Sequence, residues 1–230
     1  MDKKVSIAID GPAGSGKTTV AREVARRLGY KYVDTGAMYR AVAWESVKRG
    51  VSLADEGAIV HIAGSIDIDF DEDDDSRILV DGADVSKAIR TPEVTRLSSP
   101  VSAIPGVRRY LVARQRDLAG DGGVVMEGRD IGSVVLPDAE VKVFLTASVD
   151  ERARRRHAEM QAAGTHVDIE ALKQEIEERD RRDTTRADSP LVKAPGAVAI
   201  DTDGLSAEEV VQQILGLCEK QGVRARREAD

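Results

Sequence analysis

"GPAGSGKT", residues Gly11–Thr18, decides the fold of this chain. Gly11 and Gly16 enclose four residues, and Lys17 and Thr18 follow at once. The apolar run "VSIAI" (5–9) stands before it and the amphipathic stretch "VAREVARRLG" (20–29) after it. The reading is strand, loop, helix. Glycines let backbone N–H groups turn inward around phosphate oxygens, and the start of the helix adds partial positive charge. The stretch is therefore a phosphate-binding loop. Its candidate contacts to a nucleoside triphosphate are Gly11, Pro12, Ala13, Gly14, Ser15, Gly16, Lys17, Thr18 and Thr19. Lys17 would span the β- and γ-phosphates, and the Thr18 hydroxyl would ligate Mg²⁺.

The alternation continues outward from the loop. "YKYVDTG" (30–36) reads as a second strand ending in Asp34, and "AMYRAVAWESVKRG" (37–50) as a helix closed by Gly50. "GVVMEGRD" (123–130), "VKVFLTAS" (141–148) and "AVAID" (197–201) read as three further buried strands. Helices are expected from Pro105, over Val149–Ala163, from Asp168 to about Asp183, and over Ser206–Lys220. Five buried strands alternating with helices imply an α/β fold, a parallel sheet covered on both faces.

Residues 61–92 read differently. "SIDIDFDEDDDSRILVDGADVS" (65–86) alternates with period two and carries a turn signal at Asp81-Gly82, so short antiparallel strands are expected there. We read 61–100 as a small strand-rich insertion within one domain spanning 1–230. The acidic run Asp71–Asp75 reads as a solvated turn rather than a calcium loop, because it has no spaced glycine or closing glutamate. The tail "RARREAD" (224–230) has no apolar face and is expected to fray.

Composition narrows the function. The chain has 230 residues, with 41% hydrophobic, 33% charged and only 3% aromatic, so Val, Ile, Leu and Ala must fill the core. A net charge of −7 argues against a globally basic nucleic-acid binder but allows local anion sites. The single cysteine, Cys218, excludes an intramolecular disulfide and reads as a small hydrophobe on a helix. His61, His157 and His166 lack ligand spacing and read as surface or loop residues. The N-terminal apolar run ends at Asp10, too short for a secretory leader, and no stretch is long enough to span a membrane. A cytoplasmic protein is expected, and a monomer, since no heptad or apolar patch is evident. The sequence contains no asparagine, so the guanine-reading Asn-Lys-x-Asp motif of switch GTPases is absent.

Three further stretches carry chemistry. "DTGAMYR" (34–40) follows a strand end, where open α/β sheets bind ligands, and Arg40 could clamp a phosphate bidentately. "EGRD" (127–130) also follows a strand and would point Arg129 and Asp130 into the same crevice. "ERARRRH" (151–157) and "ERDRRDTTR" (178–186) bracket "QAAGTHVD" (161–168), the tip of a helical lid over 150–186. Arg152 and Arg156 share a helix face, as do Arg179, Asp183 and Arg186 if the helix persists. Arginines closing over a triphosphate would neutralise charge and exclude water.

In this order and spacing, "GPAGSGKTT", "DTGAMYR", "RTPEVTRLSSPVSAIPGVR" (90–108), "EGRDIGSVVLPDA" (127–139) and "EIEERDRRDTTRADSPL" (175–191) resemble the nucleoside monophosphate kinases, most closely the bacterial cytidylate kinases. The resemblance covers nearly the whole chain. It implies the P-loop kinase fold and ATP-dependent phosphorylation of CMP and dCMP, with Mg²⁺, in pyrimidine metabolism. It implies that Ser99, Arg108 and Asp130 face the cytosine and that Tyr39, Arg179 and Asp183 lie around the sugar. Thr35, Arg40, Arg129 and Arg186 would hold the acceptor phosphate, with Arg152 and Arg156 as lid arginines. Lys17, Arg129, Arg152, Arg156 and Arg186 would carry the transfer. Cytosine offers an N4 amino donor that a carboxylate accepts, whereas uracil would set a carbonyl against Asp130. The competing readings are a kinase for UMP or another small acceptor, and a nucleotide-binding regulatory module with no acceptor.

Overall fold

The computed structural model describes residues 4–71, 74, 77–162 and 164–223. Strand β1 (Ser6–Asp10) feeds the phosphate loop, and helix α1 (Lys17–Leu28) leaves it. Strand β2 (Lys31–Asp34) runs straight into α2 (Thr35–Lys48), because the Asp34 carboxylate caps that helix by accepting from the Ala37 N–H at 3.0 Å. This cap starts α2 two residues earlier than the sequence suggests. Helix α3 (Glu56–Ser65), strands β3 (Ile68–Phe70), β4 (Ile78–Val80) and β5 (Ala83–Asp84), and helix α4 (Pro92–Ala103) come next. Then come α5 (Pro105–Ala119), β6 (Val124–Gly128), β7 (Val141–Thr146), α6 (Val149–Ala162), α7 (Ile169–Thr185), β8 (Val198–Asp201) and α8 (Ala207–Lys220).

The main sheet has the order β2-β6-β1-β7-β8, and every pair in it is parallel. β1 sits at the centre, so the phosphate loop leaves the middle of the sheet's carboxyl edge. Alternation along the strands feeds two cores. Ile7 and Ile9 point to one face with Val20, Val24 and Ile214, while Ala8 and Met126 point to the other with Met38, Val42, Val101 and Val107. Cys218 is fully buried in the first of these cores, where burial pushes its thiol up to about 12.

The 61–92 segment departs from its sequence reading. The antiparallel strands β3-β4-β5 are present, and Asp81 and Gly82 turn between β4 and β5 with φ of 50° and 78°. But residues 61–65 are helical, and α4 occupies 92–103. Ile59, Ile62 and Ala63 are buried at helical spacing, and Asp55 caps α3 through the Ala58 N–H. Alternation begins only at Ile66. In α4 the internal Pro100 and the serines around it mask the helix, which Thr91 caps and Pro92 opens. Of the acidic run, Glu72, Asp73 and Asp75 lie outside the described residues, as does the whole stretch 224–230.

Helices α6 and α7 pack on each other through Ala153, Leu172 and Ile176, a small core of their own. α7 ends at Thr185, so Arg186 lies one residue beyond it in extended conformation rather than on its face. His61 and His157 sit on helices and His166 in the connection between α6 and α7.

Candidate active site

Two neighbouring cavities open at the carboxyl edge of the sheet. The larger, about 560 Å³, is lined by Ala13–Val20 of the loop and α1. Its other walls carry Asp34, Arg40, Glu127, Arg129, Arg154, Arg155, Arg156, Arg179 and Thr202. The smaller, about 50 Å³, is lined by Thr35, Tyr39, Ser99, Arg108, Asp130, Asp183 and Arg186 among others. Gly36, Gly128, Arg129 and Arg179 line both. The two spaces therefore meet at a pair of arginines.

The loop is built by close approach. A side chain at Gly11 would bring its Cβ within 2.2 Å of the Leu145 carbonyl oxygen at the end of β7. Gly16 takes φ of 87° to start α1, a left-handed conformation that favours glycine. Gly11 and Pro12 stand just outside the cavity lining, whereas Ala13, Gly14, Ser15, Gly16, Lys17, Thr18 and Thr19 form it. Lys17 folds back, donating from Nζ to the Pro12 carbonyl at 2.6 Å. Burial, with the charge of Arg129 next, pulls its ammonium down to about 7.

Glu127 closes the floor of this cavity, and sequence reasoning gave it no role. It is buried, Tyr32 donates its hydroxyl to the carboxylate at 2.5 Å, and the Thr18 hydroxyl lies close enough to lower its pKa. Burial, reinforced by the negative charge of Asp34, raises its pKa. Thr18, Asp34 and Glu127 thus gather oxygen ligands beside the loop. The signal for Glu127 was its place at a buried strand end next to the β1 terminus.

The smaller cavity centres on a buried ion pair. Arg108, 2% exposed, reaches from α5 to Asp130 with a short Nη2–Oδ2 hydrogen bond, and its guanidinium lies 5.6 Å from the centre of the Tyr39 ring. Arg186 approaches the other Asp130 oxygen at 3.5 Å. Burial raises the Asp130 pKa against the opposing charges of Arg108, Arg186 and Arg129. Arg129 donates from Nε to Asp183 at 2.8 Å, and Arg129 with Arg179 outweighs burial to hold Asp183 below its ordinary value. Thr35 donates to the Glu127 carbonyl at 2.7 Å. Ser99 Oγ, Arg108 Nε and Arg179 Nε are buried with no hydrogen-bond partner among the described residues, though Arg108 Nε lies 3.9 Å from Asp188 Oδ1. Unsatisfied buried polar atoms on a cavity wall are groups waiting for a ligand. Burial and the charge of Arg129 pull Arg179 down to about 9.

The sequence-predicted residues are brought together with two changes of place. Arg40 faces the larger cavity, not the smaller one. Arg152 faces neither. It lies behind the loop, 3% exposed, and donates to the Ala147 carbonyl (3.1 Å), the Ala13 carbonyl (3.2 Å) and Asp180 (2.6 Å). Arg155 lines the cavity instead, held by Glu151 at 2.8 Å and by the Thr202 hydroxyl and carbonyl at 3.0 and 2.7 Å. Arg156 lines the cavity as expected, tethered to Glu175 at 3.1 Å. Among the described residues no helix is long and apolar enough to cross a membrane.

Comparison with known proteins fits this geometry. One solved structure, an uncharacterized protein from Eubacterium ventriosum, matches over 95% of this chain and 99% of its own with a TM-score of 0.52 at 13% identity, a likeness of fold. The chain is 50% identical over 217 residues to the cytidylate kinase of Desulfitobacterium hafniense, covering 94% of each. It is 54% identical over 215 residues to a bifunctional pantoate ligase/cytidylate kinase of Synechococcus sp. (strain JA-3-3Ab), covering 92% of this chain but only 40% of that longer protein. The cytidylate kinase family model matches residues 7–220, and with the loop, the paired cavities and these identities in hand, the chain belongs to the cytidylate kinase family.

Proposed function

We propose that this chain transfers the γ-phosphoryl group of ATP to CMP or dCMP, giving ADP and CDP or dCDP. One observation carries the reading. A phosphate-loop cavity and a smaller cavity built on the Arg108–Asp130 pair share Arg129 and Arg179 at their junction. A donor phosphate and an acceptor phosphate held in the two spaces would meet between these guanidiniums. Phosphoryl transfer needs alignment and charge neutralisation more than covalent help.

Each residue has a defined task in this reading. The loop N–H groups cradle the triphosphate, and Lys17 turns from the Pro12 carbonyl to the phosphate oxygens. Arg129 and Arg179 neutralise charge on the transferring group, and Arg155, Arg156 and Arg40 do so from the walls of the donor cavity. Thr35 and Arg186 border the acceptor phosphate, and Tyr39 and Asp183 the sugar. Asp130 accepts from the cytosine amino group, while Arg108 and Ser99 donate to the ring. The Thr18 hydroxyl with the carboxylates of Asp34 and Glu127 suits Mg²⁺, a hard cation that takes one or two protein oxygens and leaves the rest to phosphates. When bound, Mg²⁺ supplies charge neutralisation on the β- and γ-phosphates. We place the enzyme in the cytoplasm, where ATP is supplied, and take it to act as a monomer.

The test is an ADP-coupled assay with CMP, dCMP, UMP and AMP as acceptors. The expected result is turnover with CMP and dCMP at least about a hundredfold more efficient than with UMP, because an acceptor set against Asp130 is rejected as an unpaired polar contact. Equal efficiency with UMP or AMP would favour another small acceptor, and no transfer to any monophosphate would favour a regulatory module.

A further inference from the structure

We propose that Asp10 is a positioning residue for acceptor choice, holding in register the turn that carries Asp130. The inference rests on the reading of Asp130 as the carboxylate that faces the base. Asp10 ends β1, one residue ahead of the phosphate loop, and lines neither cavity. It is 2% exposed. Its Oδ1 accepts from the Ile131 N–H and its Oδ2 from the Gly132 N–H, both at 2.8 Å. Ile131 and Gly132 open a single five-residue π-helical turn, Ile131–Val135, and Asp130 is the residue immediately before it, at φ −147° and ψ 25°.

The far end of the same turn is held as well. Arg116 donates from Nε to the Val135 carbonyl at 3.0 Å and from Nη2 to the Val134 carbonyl at 2.7 Å. A carboxylate sits on the amide end and a guanidinium on the carbonyl end, the signs that a helical turn's dipole favours. Arg116 lies on α5, the helix that also delivers Arg108 to Asp130. The turn packs closely at Gly132, where a Cβ would stand 3.3 Å from Ala194 Cβ, 3.3 Å from Lys142 Cδ and 3.4 Å from Asp10 Oδ2. The central strand and α5 thus fix the Asp130 backbone from two sides, and the donor loop and the base-reading residue share one rigid anchor.

The consequence is specific. Asp10→Asn keeps one acceptor but turns an amide N–H against a backbone N–H, so the turn shifts and Asp130 with it. A misplacement on the order of 1 Å at a selecting group can cost about 10²-fold. The experiment measures kcat/KM for CMP and for UMP, and KM for ATP, in the wild type, D10N, R116Q and D130N. Arg116 is exposed, so R116Q keeps the test decisive even if D10N does not fold. The expected result is a CMP-to-UMP ratio lowered about tenfold or more in D10N and lowered in the same direction in R116Q, with KM for ATP within about threefold of wild type. If D130N lowers the ratio while the folded D10N and R116Q proteins keep the wild-type ratio, Asp10 is not a positioning residue. If D130N itself leaves the ratio unchanged, the base-facing reading of Asp130 fails, and this inference fails with it.

Discussion

Lys17 donates its ammonium to the carbonyl oxygen of Pro12, five residues back in the same loop, at 2.6 Å. Burial and the neighbouring charge of Arg129 hold its pKa near 7, so above neutral pH it is largely uncharged. A triphosphate brings negative charge to the same place and restores the proton. ATP binding should therefore take up protons, approaching one per site near pH 8.5 and falling below half that near pH 6.5. Calorimetry in buffers of different ionisation enthalpy reads this number directly. The sign follows from linkage: a group whose pKa rises on binding gains affinity as pH falls, so ATP should bind more weakly as pH climbs from 7 to 9. Lys17→Met should abolish the uptake and lower kcat by about 10² or more, the usual loss for a preorganised donor on developing charge. An uptake of zero at pH 8.5 in the wild type would contradict the account of Lys17.

Asp130 and Arg108 form a buried pair inside the smaller cavity, the proposed acceptor site. Asp130→Ala should reduce kcat/KM for CMP by about 10²-fold or more while leaving KM for ATP within about threefold. Steady-state kinetics with each substrate varied in turn gives both values. Wild-type efficiency toward CMP in the variant would remove the base-reading role.

The two predicted lid arginines should separate under mutation. Arg152 joins Ala13 of the loop to Asp180 of α7 from a buried position, so Arg152→Ala strands Asp180 and two carbonyl oxygens. The cost should be about 2 kcal/mol or more, a fall in Tm of about 4–8 °C for a chain of this size. Arg156 lines the larger cavity, the proposed donor site, and among the described residues is tethered only by a surface pair to Glu175, so Arg156→Ala should leave Tm within about 1 °C and lower kcat instead. Thermal melts of both variants beside their turnover numbers distinguish a positioning arginine from one that meets the phosphates. The reverse pattern would interchange their roles.

Gly128 stands where the cavities meet. A Cβ there would lie 2.7 Å from Thr35 Oγ1 and 2.7 Å from Ile131 Cδ1. Gly128→Ala should push Thr35 off its bond to the Glu127 carbonyl and crowd the acceptor phosphate, at a cost of about 1–3 kcal/mol in overpacking. KM for CMP should rise roughly tenfold or more on that energy scale, with a smaller change for ATP. An unchanged KM for CMP would show that the junction tolerates the methyl group.

Much of this was legible because the chemistry sits at strand ends. An apolar run followed by glycine or a charge marks such an end, so the loop, Arg129 and Asp130 could be placed before any contact was known, while Thr35 came from the family resemblance. What was not legible depends on rotation and on long-range bonds. Arg152, Arg155 and Arg156 lie on one helix, and their directions follow from how Ala153, Leu172 and Ile176 seat α6 on α7. No local pattern says that Arg152 turns behind the loop while Arg155 turns into the cavity. Asp10 and Glu127 read only as strand ends, and their roles arise from partners more than ninety residues away. Helix α4 was hidden by its own composition, a proline and several serines that argue locally against a helix.

The most direct test of the central claim follows the phosphate itself. The full chain, incubated with ATP labelled with ³²P at the γ position, Mg²⁺ and CMP, should transfer the label to the β-phosphate of CDP. Omitting CMP, or replacing it with UMP, should leave nearly all the label in ATP. Label released as inorganic phosphate at the same rate with and without CMP, or carried equally well to UMP, would contradict the account.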